Sequence, residues 1–175
     1  MKENKIVRYP LILGLVALIA GLLLAFVYNI TAPIIEENDT KRENKVILDM
    51  FGENAKIEDI SDTLSNDDKS KGVDDVYIVK SENKEYYVYK ITIQDGVHDD
   101  DSSAIVALKG GKIYTLKFTK VGDNYAEAYN TTDYINGIIN KGGLTNSDIV
   151  SGNTATGVNV IGSINAAIAH YGRVK

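Results

Sequence analysis

The chain has 175 residues, 44% of them hydrophobic, and a net charge of −5. That is room for one anchor and one domain with a core of its own. It contains no cysteine and only two histidines, His98 and His170. Disulfides, thiolate catalysis and cysteine–zinc sites are therefore excluded, and a histidine-based metal centre is not expected. No basic tract interrupts the acidic balance, so no nucleic-acid partner is expected.

Taken in chain order, residues 1–8 form a short basic amino terminus, with Lys2, Lys5 and Arg8. The run YPLILGLVALIAGLLLAFVYNITAPII, residues 9–35, carries no charge and is long enough to cross a bilayer as one helix. It lacks the small-residue cleavage pattern of a signal peptide. Glu36, Glu37 and Asp39 follow it. Positive charge stays on the cytoplasmic side, so the expected topology is a single pass in the cell membrane, with an extracytoplasmic domain. Ala17, Gly21 and Ala25 recur every fourth residue, as a helix–helix contact face requires, although such residues are common in any membrane helix.

Residues 36–74 read as a helix followed by a polar linker. Asn38 to Thr40 offer caps, and Val46, Ile47, Met50 and Phe51 form an apolar stripe that Gly52 stops. Residues 53–75 are polar and suggest no element. Residues 75–175 read as the main domain. Short apolar Val76–Val79 is a strand, and Ser81 to Lys84 a turn. YYVYKITI then alternates Tyr87, Tyr89, Ile91 and Ile93 on one face. Ala104–Leu108 and Ile113–Phe118 flank Gly110-Gly111 as a hairpin.

Asn124–Asn140 predicts a helix burying Tyr134, Ile135, Ile138 and Ile139, ended by Gly142-Gly143. The last predicted helix places Val158, Ile161, Ile164, Ile168 and Tyr171 at helical spacing and stops at Gly172, with His170 as a favourable charge near its end. The fold class is α+β: a transmembrane helix, then a mainly antiparallel sheet with flanking helices.

Neither GxxxxGK[ST] nor a GxGxxG following a strand is present. His98-Asp99-Asp100-Asp101 lacks the spacing of a calcium loop and reads as a solvated turn, so no metal site is assigned. The tyrosines at 86, 87, 89, 125, 129 and 134 read as packing more readily than as a ring pocket. Ser151 is not set in GxSxG and no histidine is placed to serve it as a base, so no catalytic residue is assigned.

One cluster remains. DIVSGNTATG, Asp148 to Gly157, gathers Asp148, Ser151, Thr154 and Thr156 around Gly152 before the last helix. A helix start needs one of these side chains, and Thr156 would serve.

The segment DIVSGNT resembles the attachment motif Asp-x-x-(Ser/Thr)-Gly-Ala-Thr of the FMN-binding domain family. Its members include the G subunit of the Rnf electron-transfer complex and the C subunit of the sodium-translocating NADH:quinone reductase. NITAPIIEEN, KGGKIYTLKF and SINAAIAHYG are similar, in order, to that family's helix exit, hairpin and closing helix.

The resemblance implies an FMN-binding domain and an electron-transfer flavoprotein with FMN held covalently, its phosphate esterified to Thr154. Asp148, Ser151 and Gly152 would form the surrounding motif, Asp148 serving recognition by a flavin transferase that uses FAD. Thr156 would add a hydroxyl or the helix cap. The implied setting is an Rnf-like, ion-translocating redox complex with integral-membrane redox subunits. A free-standing extracellular electron carrier and a flavin-free scaffold on the same fold stand as alternatives. Asn153 replaces the family's alanine. DGVHDDDSS and VGDNYAEA stand where the family has G-Y-G-G and E-T-P-G-L-G. No ring-contacting residue is therefore assigned.

Overall fold

A computed structural model describes residues 5–94, 100–122 and 124–175. The chain divides into two units, Met1–Met50 and Phe51–Lys175. The first is occupied by helix α1, Lys5–Phe51, whose last residue is counted with the second. Within α1, Tyr9–Ala32 is long and apolar enough to cross a membrane, with a mean hydropathy of 2.8. The sequence bounded the span at residues 9–35 and offered caps for a separate helix at Asn38 to Thr40. The described backbone instead runs through both as one helix. No glycine occurs between Gly21 and Gly52, and Pro33 does not end the helix. Gly52, at φ +93°, supplies the expected left-handed stop. The freed carbonyl of Phe51 accepts a hydrogen bond from Ser81 Oγ at 2.6 Å.

The second unit is built on a five-stranded antiparallel meander in the order β1-β2-β3-β4-β5: Lys56–Asp59, Val73–Ser81, Lys84–Ile93, Ser102–Lys109 and Lys112–Lys120. Both predicted hairpins form. Glu82 and Asn83 have φ of +50° and +60°, and Gly110 and Gly111 +58° and +76°. Paired positive φ values are those of the two-residue turns whose twist matches the strands. Alternation in β3 also holds: Tyr87, Tyr89, Ile91 and Ile93 share one buried face. They pack with Ala104, Val106 and Leu108 of β4 and with Ile113, Leu116 and Phe118 of β5.

Over this face lies α5, Thr154–Val174. It buries Val160, Ile161, Ile164 and Ala167. Val158, predicted to be inside, is exposed, since the inward face is set by Thr156, Gly157 and Val160. Gly172 does not stop the helix, which continues to Val174.

Residues 53–75 are not structureless. They hold β1, a 3₁₀ turn at Ser61–Thr63, α2 at Asn66–Ser70 and the start of β2. β1 is an edge strand exposed along most of its length, so it carries no apolar alternation to reveal it. α2 opens with a capping box in which Ser65 and Asp68 bond each other's backbone N–H.

The predicted helix 124–140 is two: α3, Asn124–Glu127, and α4, Thr132–Ile138. Thr131 caps α4 by accepting from Tyr134 N–H at 3.3 Å, which restarts the helix. α4 ends at Ile138, before Gly142-Gly143, because the chain then bonds to β5. Asn140 N–H donates to the Ile113 carbonyl at 2.8 Å, and Ile113 N–H to the Lys141 carbonyl at 2.9 Å. Of the four side chains expected inside α4, only Ile138 is fully buried.

Candidate functional site

The cluster at 148–157 is a knuckle between α4 and α5, braced at its base, turned at its crown and opening into a helix. The base is a box in a 3₁₀ turn at Asn146–Asp148. Asp148 Oδ2 accepts from Thr145 N–H at 2.9 Å and from Thr145 Oγ1 at 3.4 Å, while Oδ1 pairs with Lys141 Nζ. Burial by itself would raise the Asp148 pKa. The Lys141 ammonium and the Thr145 donors outweigh it, and the carboxyl is held below its ordinary value.

The crown is a four-residue turn closed by Asn153 N–H donating to the Val150 carbonyl at 3.0 Å. Ser151 and Gly152 are its exposed corner. Gly152 has φ +88°, the value a type II turn demands at its third position, and a β-carbon added there would meet nothing within 4 Å. Glycine is required by the backbone here and leaves the approach to the crown open.

Thr154 is the first residue of α5 and is exposed. The cap position belongs to Asn153, which makes no side-chain cap bond. Its amide Nδ2 donates instead to the Tyr125 carbonyl at 3.3 Å. The first helical bond is Gly157 N–H to the Asn153 carbonyl at 2.9 Å, so Thr154, Ala155 and Thr156 lie in the turn whose N–H groups have no intrahelical acceptor. Thr156 is not a cap: it stands inside the helix, 3% exposed, on the core side. Ser151, Gly152 and Thr154 thus gather at the surface, whereas Asp148 is tied into the base and Thr156 faces inward.

Two residues of this site escape sequence reasoning. Tyr129, fully buried, places its hydroxyl under the crown, accepting from Val150 N–H at 3.2 Å and donating to the Asn153 carbonyl at 3.0 Å. Burial pushes its pKa up, which keeps the phenol protonated as a donor. Gly157 makes room for it: a β-carbon there would lie 2.3 Å from the Tyr129 oxygen and 2.8 Å from Ile149. Neither role leaves a local signal, since the contacts span loops that only the fold brings together.

His170 is not a helix-end charge. It is completely buried, with Nδ1 3.0 Å from Tyr89 Oη and Nε2 3.1 Å from Thr63 Oγ1. Thr63 donates its own proton to the Ile60 carbonyl at 2.6 Å, so Nε2–H donates to Thr63 and Nδ1 accepts from Tyr89. The imidazole is a neutral core group, its pKa lowered by burial. The charge at that helix end is Arg173, paired with Asp68. His98 and Asp99 lie outside the described residues. Among the described residues, no group of three or more His, Asp or Glu is arranged to hold a metal ion.

The arrangement offers an alcohol at an uncapped tip of a 21-residue helix, where N–H groups and the helix dipole favour negative charge. A phosphate ester fits there: Thr154 is exposed, a β-carbon placed on Gly152 before it would meet nothing within 4 Å, and no side chain caps the first turn.

Residues 1–49 match the family model described as the RnfG N-terminal region. The matched part includes Tyr9–Ala32 and ends before the knuckle. No curated protein matches the chain, and no solved structure matches it. Through its amino-terminal region the chain resembles the RnfG subunit, which points to an Rnf-like electron-transfer subunit with a membrane-anchoring helix.

Proposed function

We propose that the chain is a membrane-anchored electron-transfer flavoprotein that carries FMN through a phosphoester bond on Thr154, as a subunit of an Rnf-like, ion-translocating redox complex. The observation that carries the reading is the RnfG match over residues 1–49. It is supported independently by the exposed position of Thr154 at the uncapped tip of α5. Bound FMN supplies the electron transfer, and the protein's part is to hold and orient it.

Four residues of the knuckle have a task in this reading. Thr154 Oγ is the ester oxygen. The first-turn N–H groups of α5 offset the phosphate's charge. Gly152 keeps the approach open for a flavin transferase that takes FMN from FAD, and Ser151 lines that approach. Asp148 shapes the base of the turn through Thr145 and Lys141, and its part in recognition is exerted through that shape. A tether suits a carrier outside the cytoplasm, where a lost cofactor is not readily replaced. Lys2, Lys5 and Arg8 before the span and Glu36, Glu37 and Asp39 after it support a cytoplasmic amino terminus and an outer domain. Partners would be integral-membrane redox subunits packed on the span.

The test is intact-mass analysis and in-gel flavin fluorescence of the full chain, co-expressed with the transferase under FAD supply. The wild type should be fluorescent after denaturation and heavier by one FMN less water. Thr154→Val should be colourless and unmodified, and Thr156→Val should load normally. A bare wild-type polypeptide would leave a flavin-free scaffold. A loaded Thr154→Val chain would move the attachment point. Isolation from native membranes separates a complex subunit, which co-purifies with membrane partners, from a lone carrier.

A further inference from the structure

We propose that Tyr129 is a positioning residue for the modification of Thr154: its buried hydroxyl fixes the direction in which the acceptor alcohol points. The inference rests on the attachment reading above and adds to it the residue that aims the acceptor.

The phenol oxygen bonds both limbs of the turn, taking Val150 N–H before Ser151 and giving its proton to the Asn153 carbonyl after Gly152. That carbonyl also accepts the first hydrogen bond of α5, from Gly157. One hydroxyl therefore ties the turn to the opening of the helix, and Thr154 is the next residue. The ring is itself immobilised. It is wholly buried and meets Tyr134 edge-on, with ring centroids 4.9 Å apart. Gly157 completes the device, because any side chain there would occupy the phenol oxygen's place.

The chemistry explains why direction matters. In the transfer, the O–H bond of Thr154 breaks and its proton passes to a base on the transferase. A bond forms from Thr154 Oγ to the FMN phosphorus of FAD, and the phosphoanhydride bond to the departing AMP breaks. No atom changes oxidation state. Displacement at phosphorus requires attacking and leaving oxygens nearly in line. An acceptor on a turn free to tilt spends most of its time off that line, and rate falls steeply with misplacement. The hydrogen bonds of the Tyr129 hydroxyl go to the two limbs of the turn and not to the Thr154 alcohol, so it acts through the turn.

The experiment compares wild type, Tyr129→Phe, Gly157→Ala and Tyr89→Phe, all as full-length chains in membranes with transferase and FAD. Initial rates of fluorescent labelling are followed against chain concentration, at a temperature where every variant is folded. Tyr129→Phe should lower kcat roughly tenfold with little change in KM, the scale expected for two lost hydrogen bonds. Gly157→Ala should do the same by displacing the phenol. Tyr89→Phe loses a buried hydroxyl that bonds His170, near the other end of α5, and should keep wild-type kinetics. Val150 N–H should exchange with solvent roughly tenfold faster in Tyr129→Phe, a readout that needs no transferase. An unchanged kcat, an effect confined to KM, an equal loss in Tyr89→Phe or unaltered exchange at Val150 would each overturn the inference. A wild-type chain that never loads overturns the attachment reading and this inference with it. A loaded wild type with an equally fast Tyr129→Phe overturns this one alone.

Discussion

Replacing Asp148 separates the two roles open to this residue, one in the fold and one in modification. Its side chain is 9% exposed and that of its partner Lys141 is 41% exposed. In Asp148→Ala the ammonium turns to water at little cost, because a half-exposed pair contributes at most about 1 kcal/mol. The Thr145 N–H is different. It loses a carboxylate acceptor at 2.9 Å, and loss of such a cap costs about 1 kcal/mol, more when the acceptor is charged. The expected sum is about 2 kcal/mol. For a unit the size of Phe51–Lys175 that is a fall in melting temperature of roughly 8 °C.

Asp148→Asn keeps an acceptor for Thr145 and should lose about half as much. The sign with pH follows from the lowered pKa. A carboxyl depressed in the folded state contributes stability above its unfolded value of about 3.9, and loses it as pH falls through its lower folded value. The gap between wild type and Asp148→Asn should thus be full at neutral pH and close on acidification. Near-UV circular dichroism of the detergent-solubilised full chain reads the outer unit, since every tyrosine except Tyr9 and Tyr28 lies beyond residue 50. If Asp148→Ala melts within about 1 °C of wild type at pH 7, the box contributes nothing and the magnitude argued from its geometry is wrong. If Asp148→Asn keeps the turn folded and yet fails to load flavin, recognition acts through the Asp148 charge and not through the shape of the turn.

Gly72 has φ +82°, and a β-carbon there would fall 2.1 Å from the Thr92 carbonyl oxygen, to which no flexible side chain can yield. Gly72→Ala should destabilise the unit by roughly 3 kcal/mol or more, read by urea titration, and a loss below about 1 kcal/mol would show that the strand pair accommodates it. The buried His170 has its pKa lowered first by burial and further by Arg173, while Thr63 and Asp68 act in the opposite sense, and Tyr89 faces its other nitrogen without charge. A depressed histidine leaves the unfolded chain holding more protons, so stability should rise with pH from the folded value up to about 6.5 and level off above. His170→Gln should flatten that slope in thermal melts between pH 5 and 8, and an equal slope in the variant would place the titration elsewhere.

The local rules were most legible where a pattern repeats over neighbouring residues. Paired positive-φ residues between alternating strands determine the two hairpins, because turn chirality and strand twist have to agree. The uncharged span and the charges that flank it are likewise readable one residue at a time. So is Gly152, whose positive φ is a local demand. Burial is another matter. Thr156 and Thr154 are both hydroxyl residues near one helix start, and only the placement of α5 on the sheet puts one in the core and leaves the other in solvent.

His170 meets Thr63 across 107 residues and Tyr89 across 81, so its neutrality depends on contacts no window of sequence contains. The stretch 53–75 reads as a linker because an exposed edge strand and a capped five-residue helix draw their stability from pairing with β2 and from Asp68–Arg173, not from an apolar face. The same holds at the knuckle. Sequence alone put Thr154 just past the glycine of the turn. Tertiary structure decided how it is held, because the hydroxyl that grips the turn arrives from Tyr129, 24 residues before Asn153, through space that Gly157 keeps empty.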